Sequence, residues 1–195
     1  RTSICIVATS LEPRIHNLAV RLAEVYDISL MYVDYTLTRN KIGVVSANLN
    51  VCTLKSPWGN RALAECSGIK LVYALRTLFD MPVKIRKLKK HCRVDMFHVH
   101  DVVPSGFIAT LSIGQLPLIV GLRGSDIKVF GQKSIFKLPT RYTLKRANRI
   151  VAVSKDLKEE AIKLGADDKK INVISGGIDI SRFKPLDKRS ARERL

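Results

Sequence analysis

Two imidazoles spaced by one residue, His98 and His100, followed directly by Asp101, are the first groups in this chain whose types and spacing could do chemistry. Residues two apart on a strand share a face, so a strand ending here turns both rings the same way. Zinc needs further ligands. The other histidines, His16 and His91, stand at no recognisable metal-ligand spacing from this pair, so no metal is expected. His98 reads as a partly buried, hydrogen-bonded side chain. His100, nearer the strand's end, is the catalytic candidate, able to hold a ligand hydroxyl or to act as an acid or base near neutral pH.

A second cluster is Arg123-Gly124-Ser125-Asp126. A guanidinium suits phosphate or carboxylate recognition and cannot serve as a base, because it stays protonated. Gly124 lets the backbone approach a ligand, while Ser125 and Asp126 add polar groups. These residues and Asp101 are candidates for substrate binding, the alternative being that Arg123 and Asp126 pair with each other or with neighbours. Upstream, the turn Ser10-Leu11-Glu12-Pro13-Arg14-Ile15-His16 has no glycine, which argues against a dinucleotide-binding loop. Arg14 and His16 are instead candidates for contacting an anion where a helix begins. Gly176, Gly177 and Asp179 stand just past the last predicted strand, at the start of what looks like a linker.

The elements needed to bring these groups together alternate regularly. Apolar, β-branched runs predict strands at Ser3 to Thr9, Ile28 to Val33, Val51 to Leu54, Met96 to Val99, Leu118 to Leu122, Ile150 to Val153 and Ile171 to Ile174. Between them, Ile15, Leu18, Ala19, Leu22 and Ala23 recur at helical spacing. Further helices are expected over Arg61 to Phe79, Ser105 to Ile113, Ile135 to Ala147, and after Ser154, with Gly165 as a stop. Pro82 is expected to interrupt the second before a basic piece. Alternation of this kind implies an α/β domain, a parallel sheet with helices on both faces, in which ligands bind beyond the carboxyl ends of the strands. All four candidate clusters fall there. The domain core is expected over residues 1–174, with 175–195 as hinge or linker.

With 195 residues and 46% apolar content the chain can bury one substantial core. Its 34 lysines and arginines against 17 acids, a formal +17, favour phosphate-bearing partners. The segment Lys84 to Arg93 (KIRKLKKHCR) reads as a basic amphipathic helix able to meet an anionic membrane surface. It lacks the aromatics of a platform for nucleic acid. The four cysteines are widely spaced with no Cys-x-x-Cys pair, which fits reduced, cytosolic thiols. No signal peptide is visible. Pro104, Gly106, Gly114 and Pro117 divide the uncharged run Val102 to Leu122 into helix-sized and strand-sized pieces, against a membrane span.

In order and spacing, FHVHD followed by PSGF, then IVGLRGSD, RANRIVAVSKDLKEEAIKLG and KINVISGGIDISRFKP resembles the amino-terminal domain of the family-four retaining glycosyltransferases of the GT-B fold. EPRIHNLAVRLAE extends the resemblance to the first loop and helix. It implies a Rossmann-like, acceptor-binding half of an enzyme that transfers a hexosyl group with retention. The donor, a nucleotide-diphosphate sugar, would bind a carboxyl-terminal domain absent from this sequence, leaving this half inactive alone and without a cofactor of its own. The acceptor would be a sugar, or a lipid-linked or phosphorylated species, and the location cytoplasmic, peripheral at the inner membrane face. Three positions depart from the family's usual pattern: Glu12-Pro13-Arg14 where glycines are common, Arg123 where a histidine is common, and Gly176 in place of an asparagine. From another class, a non-catalytic basic module for nucleic acid or an anionic membrane surface would account for the charge. A sugar-nucleotide epimerase or glycan phosphorylase of similar architecture is a second enzyme reading.

Overall fold

In the computed structural model, which describes residues 1–8, 13–34, 47–55, 68–177, 180, 185 and 187–193, the first strand β1 (Ser3–Ala8) is buried along its whole length. An apolar run without polar alternation suits a strand covered on both faces, because no side of it meets water. Its parallel neighbours are β2 (Asp27–Asp34) and β4 (Met96–Val99). Outside β2 lies β3 (Leu49–Lys55), and beyond β4 come β5 (Leu118–Leu122), β6 (Arg149–Ala152) and β7 (Ile171–Val173). The order is β3-β2-β1-β4-β5-β6-β7, parallel throughout. This is the expected Rossmann-like sheet, and its direction of winding reverses between β1 and β4.

Right-handed crossovers then dictate where the helices go. Helix α1 (Pro13–Leu22) joins β1 to β2 on one face. Helices α2 (Gly68–His91), α3 (Phe107–Ser112), α4 (Ser134–Arg146) and α5 (Lys155–Lys163) precede β4, β5, β6 and β7 on the other. Two apolar cores result. Ile4, Ile6 and Ala8 pack with Ile15, Ala19 and Ala23 of the α1 stripe. Cys5 and Val7, the alternate residues of β1, share the opposite core with Met81, Ile85, Ile108, Leu144 and Leu157.

Helix α2 departs from the sequence expectation, since it continues unbroken through Pro82 to His91. An interior proline costs about 3 kcal/mol through the lost N–H and the clash with the preceding turn. Complete burial of Met81 and Ile85 on either side offsets this, at about 1.5–3 kcal/mol each. Helix α3 begins later than expected, at Phe107, because the preceding turn Val102–Gly106 holds Val103 extended at φ −141° and ψ 133°. Ser154 caps α5 as anticipated, its hydroxyl accepting the Leu157 N–H at 3.2 Å. Leu157, Ala161 and Leu164 are buried, and Gly165 closes the turn at φ +98°. The uncharged run Val102 to Leu122 becomes a turn, α3 and β5. Among the described residues no helix is long and apolar enough to cross a membrane. Past β7 a short helix α6 (Lys188–Glu193) lies within the stretch read as linker.

Candidate functional site

Phe97 and Val99 fill the core under α2 to α5, so His98 and His100 turn to the α1 side of the sheet. Their ring centroids lie 4.4 Å apart with planes tilted by 32°. The same alternation on β5 buries Leu118, Val120 and Leu122 and leaves Gly121 and Arg123 on the histidine side. Gly121 lies against the ring: a Cβ there would stand in ordinary contact, 3.4 Å from the Val99 carbonyl oxygen and 3.8 Å from His100 Nδ1. An isolated glycine in a strand signals such an approach. Arg123 Nη2 donates to His100 Nδ1 at 3.2 Å.

That contact settles the state of the imidazole. A guanidinium only donates, so Nδ1 must accept and the ring proton sits on Nε2. Nε2 is buried and has no hydrogen-bond partner among the described residues. Burial first, then His98, then the Arg123 charge push the His100 pKa down to about 2. Burial and then Arg123 push His98 down to about 4. Both rings are therefore neutral at physiological pH. Of the two roles expected of His100, holding a ligand hydroxyl or exchanging a proton near neutrality, these surroundings favour the first, a hydrogen-bond donor beside a permanent cation. Such a pair suits an oxygen-rich or anionic ligand.

Beneath the pair, one carboxylate ties two loops together. Asp126 is 3% exposed, and its Oδ1 accepts the N–H groups of Arg123 (3.0 Å), Gly124 (2.8 Å) and Ile127 (3.1 Å). Its Oδ2 accepts the N–H of Val102 at 3.1 Å, bridging the loop after β4 to the loop after β5. Burial, then the neighbouring Asp101 charge, raise the pKa of this carboxyl against the opposing backbone N–H groups of Gly124, Val102 and Arg123. Every one of these contacts comes from a donor, so the ionised form fits the pattern. Asp101 is also buried, its Oδ1 accepting the Ser105 N–H at 2.9 Å. Gly106 presses on the same turn, since a Cβ would fall 2.5 Å from the Asp101 carbonyl oxygen.

His98, His100 and Arg123 are thus brought into contact, with Asp101 and Asp126 holding the loops that carry them. Gly124, at φ +121°, adopts a conformation that favours glycine, and Ser125 is exposed beside it. Arg14 is exposed and His16 partly buried in the first turns of α1, which starts from the same edge of the sheet. Gly176 and Gly177 are exposed past β7, three strands from β4, or roughly 14 Å at the usual strand spacing. Asp179, Glu12 and the rest of the turn after β1 lie outside the described residues. Within the described set, no group of three histidine, cysteine or acidic side chains could hold a metal ion.

This cluster stands at the carboxyl ends of β4 and β5, beside the reversal point between β1 and β4, the edge at which open parallel sheets bind ligands. Comparison with known proteins identifies the family. TuaC of Bacillus subtilis, named as a glycosyltransferase of teichuronic acid biosynthesis, is 36% identical over 107 residues, 52% of this chain and 27% of that protein. An Escherichia coli UDP-Gal:alpha-D-GlcNAc-diphosphoundecaprenol alpha-1,3-galactosyltransferase is 25% identical over 138 residues, 67% of this chain and 34% of that protein. The chain therefore spans about a third or less of these curated relatives. HepE of Anabaena, solved with UDP and glucose, superposes on all of this chain and 50% of its own, with a TM-score of 0.60 at 14% identity. The UDP-GlcNAc 2-epimerase of Methanocaldococcus jannaschii shares the fold at a TM-score of 0.57 and 14% identity, over 89% of this chain and 45% of that one. The profile of Glycosyltransferase Family 4 matches residues 55–182, the strands and loops that build the cluster included, and the chain belongs to that family.

Proposed function

We propose that this chain is the acceptor-binding half of a retaining glycosyltransferase that moves a hexosyl group from a nucleotide-diphosphate sugar to a hydroxyl. The observation that carries the reading is the His100–Arg123 contact beside the sheet's reversal point, which sets a neutral N–H donor beside a guanidinium. In this reading Arg123 holds the anionic part of the acceptor, and His100 Nε2 donates to one of its oxygens. Arg14 and His16 approach from the start of α1, while the Asp126 clamp keeps Arg123, Gly124 and Ser125 in register. The donor sits in a second Rossmann-like domain reached through the Gly176-Gly177 hinge, and closure of the two halves excludes water from the transfer. The E. coli relative's name, which specifies a lipid-linked diphosphate acceptor, supports a lipid-linked or phosphorylated acceptor. The basic-module alternative has only the net charge behind it.

The test is steady-state kinetics of Arg123→Ala and Arg123→Lys in a form that carries the donor-binding half. Losing one charge-assisted contact of about 1.5–3 kcal/mol corresponds to roughly 10- to 150-fold. Acceptor KM rises by that factor with donor KM unchanged, and lysine recovers part of it. Acceptor kinetics unchanged in both variants would remove Arg123 from the site.

A further inference from the structure

The outward ridge of α4 is apolar. Ile135 is 77% exposed, Leu138 76% and Tyr142 49%, at intervals of three and four that stack them on one side of the helix. Thr140, Thr143 and Leu144 face the body of the domain instead and are buried. An amphipathic surface helix normally shows the reverse, apolar inward and polar outward. The ridge also extends beyond α4: the Tyr142 ring meets the Phe107 ring edge-on at 6.1 Å, and one turn along α3 Leu111 is 54% exposed.

Basic side chains rim this strip on both sides. Lys133, Lys137, Arg141 and Lys145 are exposed at or just before α4. Helix α3 packs between α4 and α2, and α2 exposes Arg86, Lys87 and Lys90. Asp80 is the only acidic residue in the three helices, against seven lysines and arginines in α2 and four in α4. Within the stretch 84–93, Ile85 is spent in the core and Leu88 packs against it, so this part of α2 offers mainly charge. The basic stretch 84–93 therefore supplies a rim to this surface and is not itself the docking element.

We propose that the α3–α4 surface docks on an anionic lipid bilayer, with Ile135, Leu138, Tyr142 and Leu111 entering the interface and the two basic rims meeting the headgroups. A convex apolar ridge between cationic flanks matches the layering of such a membrane, apolar below and anionic above. The orientation also has a functional consequence. Helix α4 runs from the carboxyl edge of the sheet, the edge at which Arg123 stands, so Ile135 and Leu138, in its first turns, lie toward that edge on the opposite face. Docking through them turns that edge of the sheet toward the headgroups. This inference uses residues separate from the cluster, and its test needs no sugar donor, so its failure is distinguishable from failure of the proposed activity.

The experiment is co-sedimentation of the 195-residue chain with vesicles of phosphatidylcholine alone and of phosphatidylcholine with phosphatidylglycerol. Wild type binds the anionic vesicles at least about tenfold more tightly than the neutral ones, in line with several basic side chains near the surface. The double substitution Ile135→Glu and Leu138→Glu lowers anionic-vesicle binding by about tenfold or more, with Tm unchanged because both side chains are exposed. Lys137→Gln, Arg141→Gln and Lys145→Gln together also weaken it and reduce its sensitivity to salt. Absence of vesicle binding by wild type overturns the proposal, as does undiminished binding by the glutamate variant. A wild-type dimer in sedimentation velocity that dissolves in the glutamate variant, without any vesicle effect, also overturns it and assigns the ridge to a second copy of the chain.

Discussion

Acidification from pH 7 to pH 5 should destabilise this fold through His98 and His100 in particular. Both have pKa values in the folded chain well below the ordinary 6.5, at about 4 and about 2, chiefly because they are buried. As pH falls the unfolded chain takes up protons first. Their contribution is thus fully present above 6.5 and is lost progressively below it, until each folded value is reached. Between pH 7 and pH 5 the linkage relation gives just under 2 kcal/mol for each ring, roughly 4 kcal/mol for the pair. That is a large part of the 5–15 kcal/mol typical of a domain. Urea unfolding of wild type and of the His98→Gln/His100→Gln variant at both pH values isolates the effect, since every other titrating group, Asp126 included, is common to both proteins. The variant should lose about 4 kcal/mol less than wild type over this interval, with the urea m-value unchanged. Equal pH dependence in the two proteins would mean that the rings protonate freely in the fold, and the arrangement with Arg123 would be refuted.

Other perturbations follow from the same geometry. Asp126→Asn keeps one acceptor oxygen but turns an NH2 group toward the Val102 N–H, so urea unfolding should show a loss of about 2–4 kcal/mol; a change below about 0.5 kcal/mol would show that the clamp carries no stability. Gly106→Ala places a methyl 2.5 Å from the Asp101 carbonyl oxygen and 3.2 Å from Thr143 Cγ2. The turn must shift, lowering Tm by about 3–10 °C for an overpacking cost of about 1–3 kcal/mol, and an unchanged Tm would contradict the packing. Ser154→Ala removes the cap of α5 and should cost about 1 kcal/mol in the same unfolding assay, against no loss if the Leu157 N–H is satisfied otherwise.

What the sequence made legible divides by the range of the interactions involved. Strands β4 and β5 coincide with the runs Met96 to Val99 and Leu118 to Leu122, because short apolar segments between turn residues are local signals. Ser154 and Gly165 mark the ends of α5 for the same reason. Pro82 misled because a local rule met the burial of Met81 and Ile85, which depends on packing against the sheet. The site was legible as a set of residues and not as an arrangement. Arg123 reaches His100 only because β5 lies beside β4, and Asp126 becomes a clamp only through Val102, 24 positions earlier. Gly121 announces a close approach without saying what approaches. The exposed ridge of α4 was hidden likewise, since its helical spacing is visible in the chain but the side it turns to the sheet is set by Thr140, Thr143 and Leu144.

Sugar transfer from a nucleotide donor at the cleft formed by this domain is best tested by acceptor-dependent release of nucleoside diphosphate. It would be run over a panel of nucleotide sugars, with the anomeric configuration of the product read by NMR. Expected are turnover by a form carrying the donor-binding half, a product that keeps the donor's anomeric configuration, and no turnover by residues 1–195 alone. An inverted product, turnover by residues 1–195 at the full rate, or no nucleotide-sugar turnover with any acceptor would contradict the proposed activity.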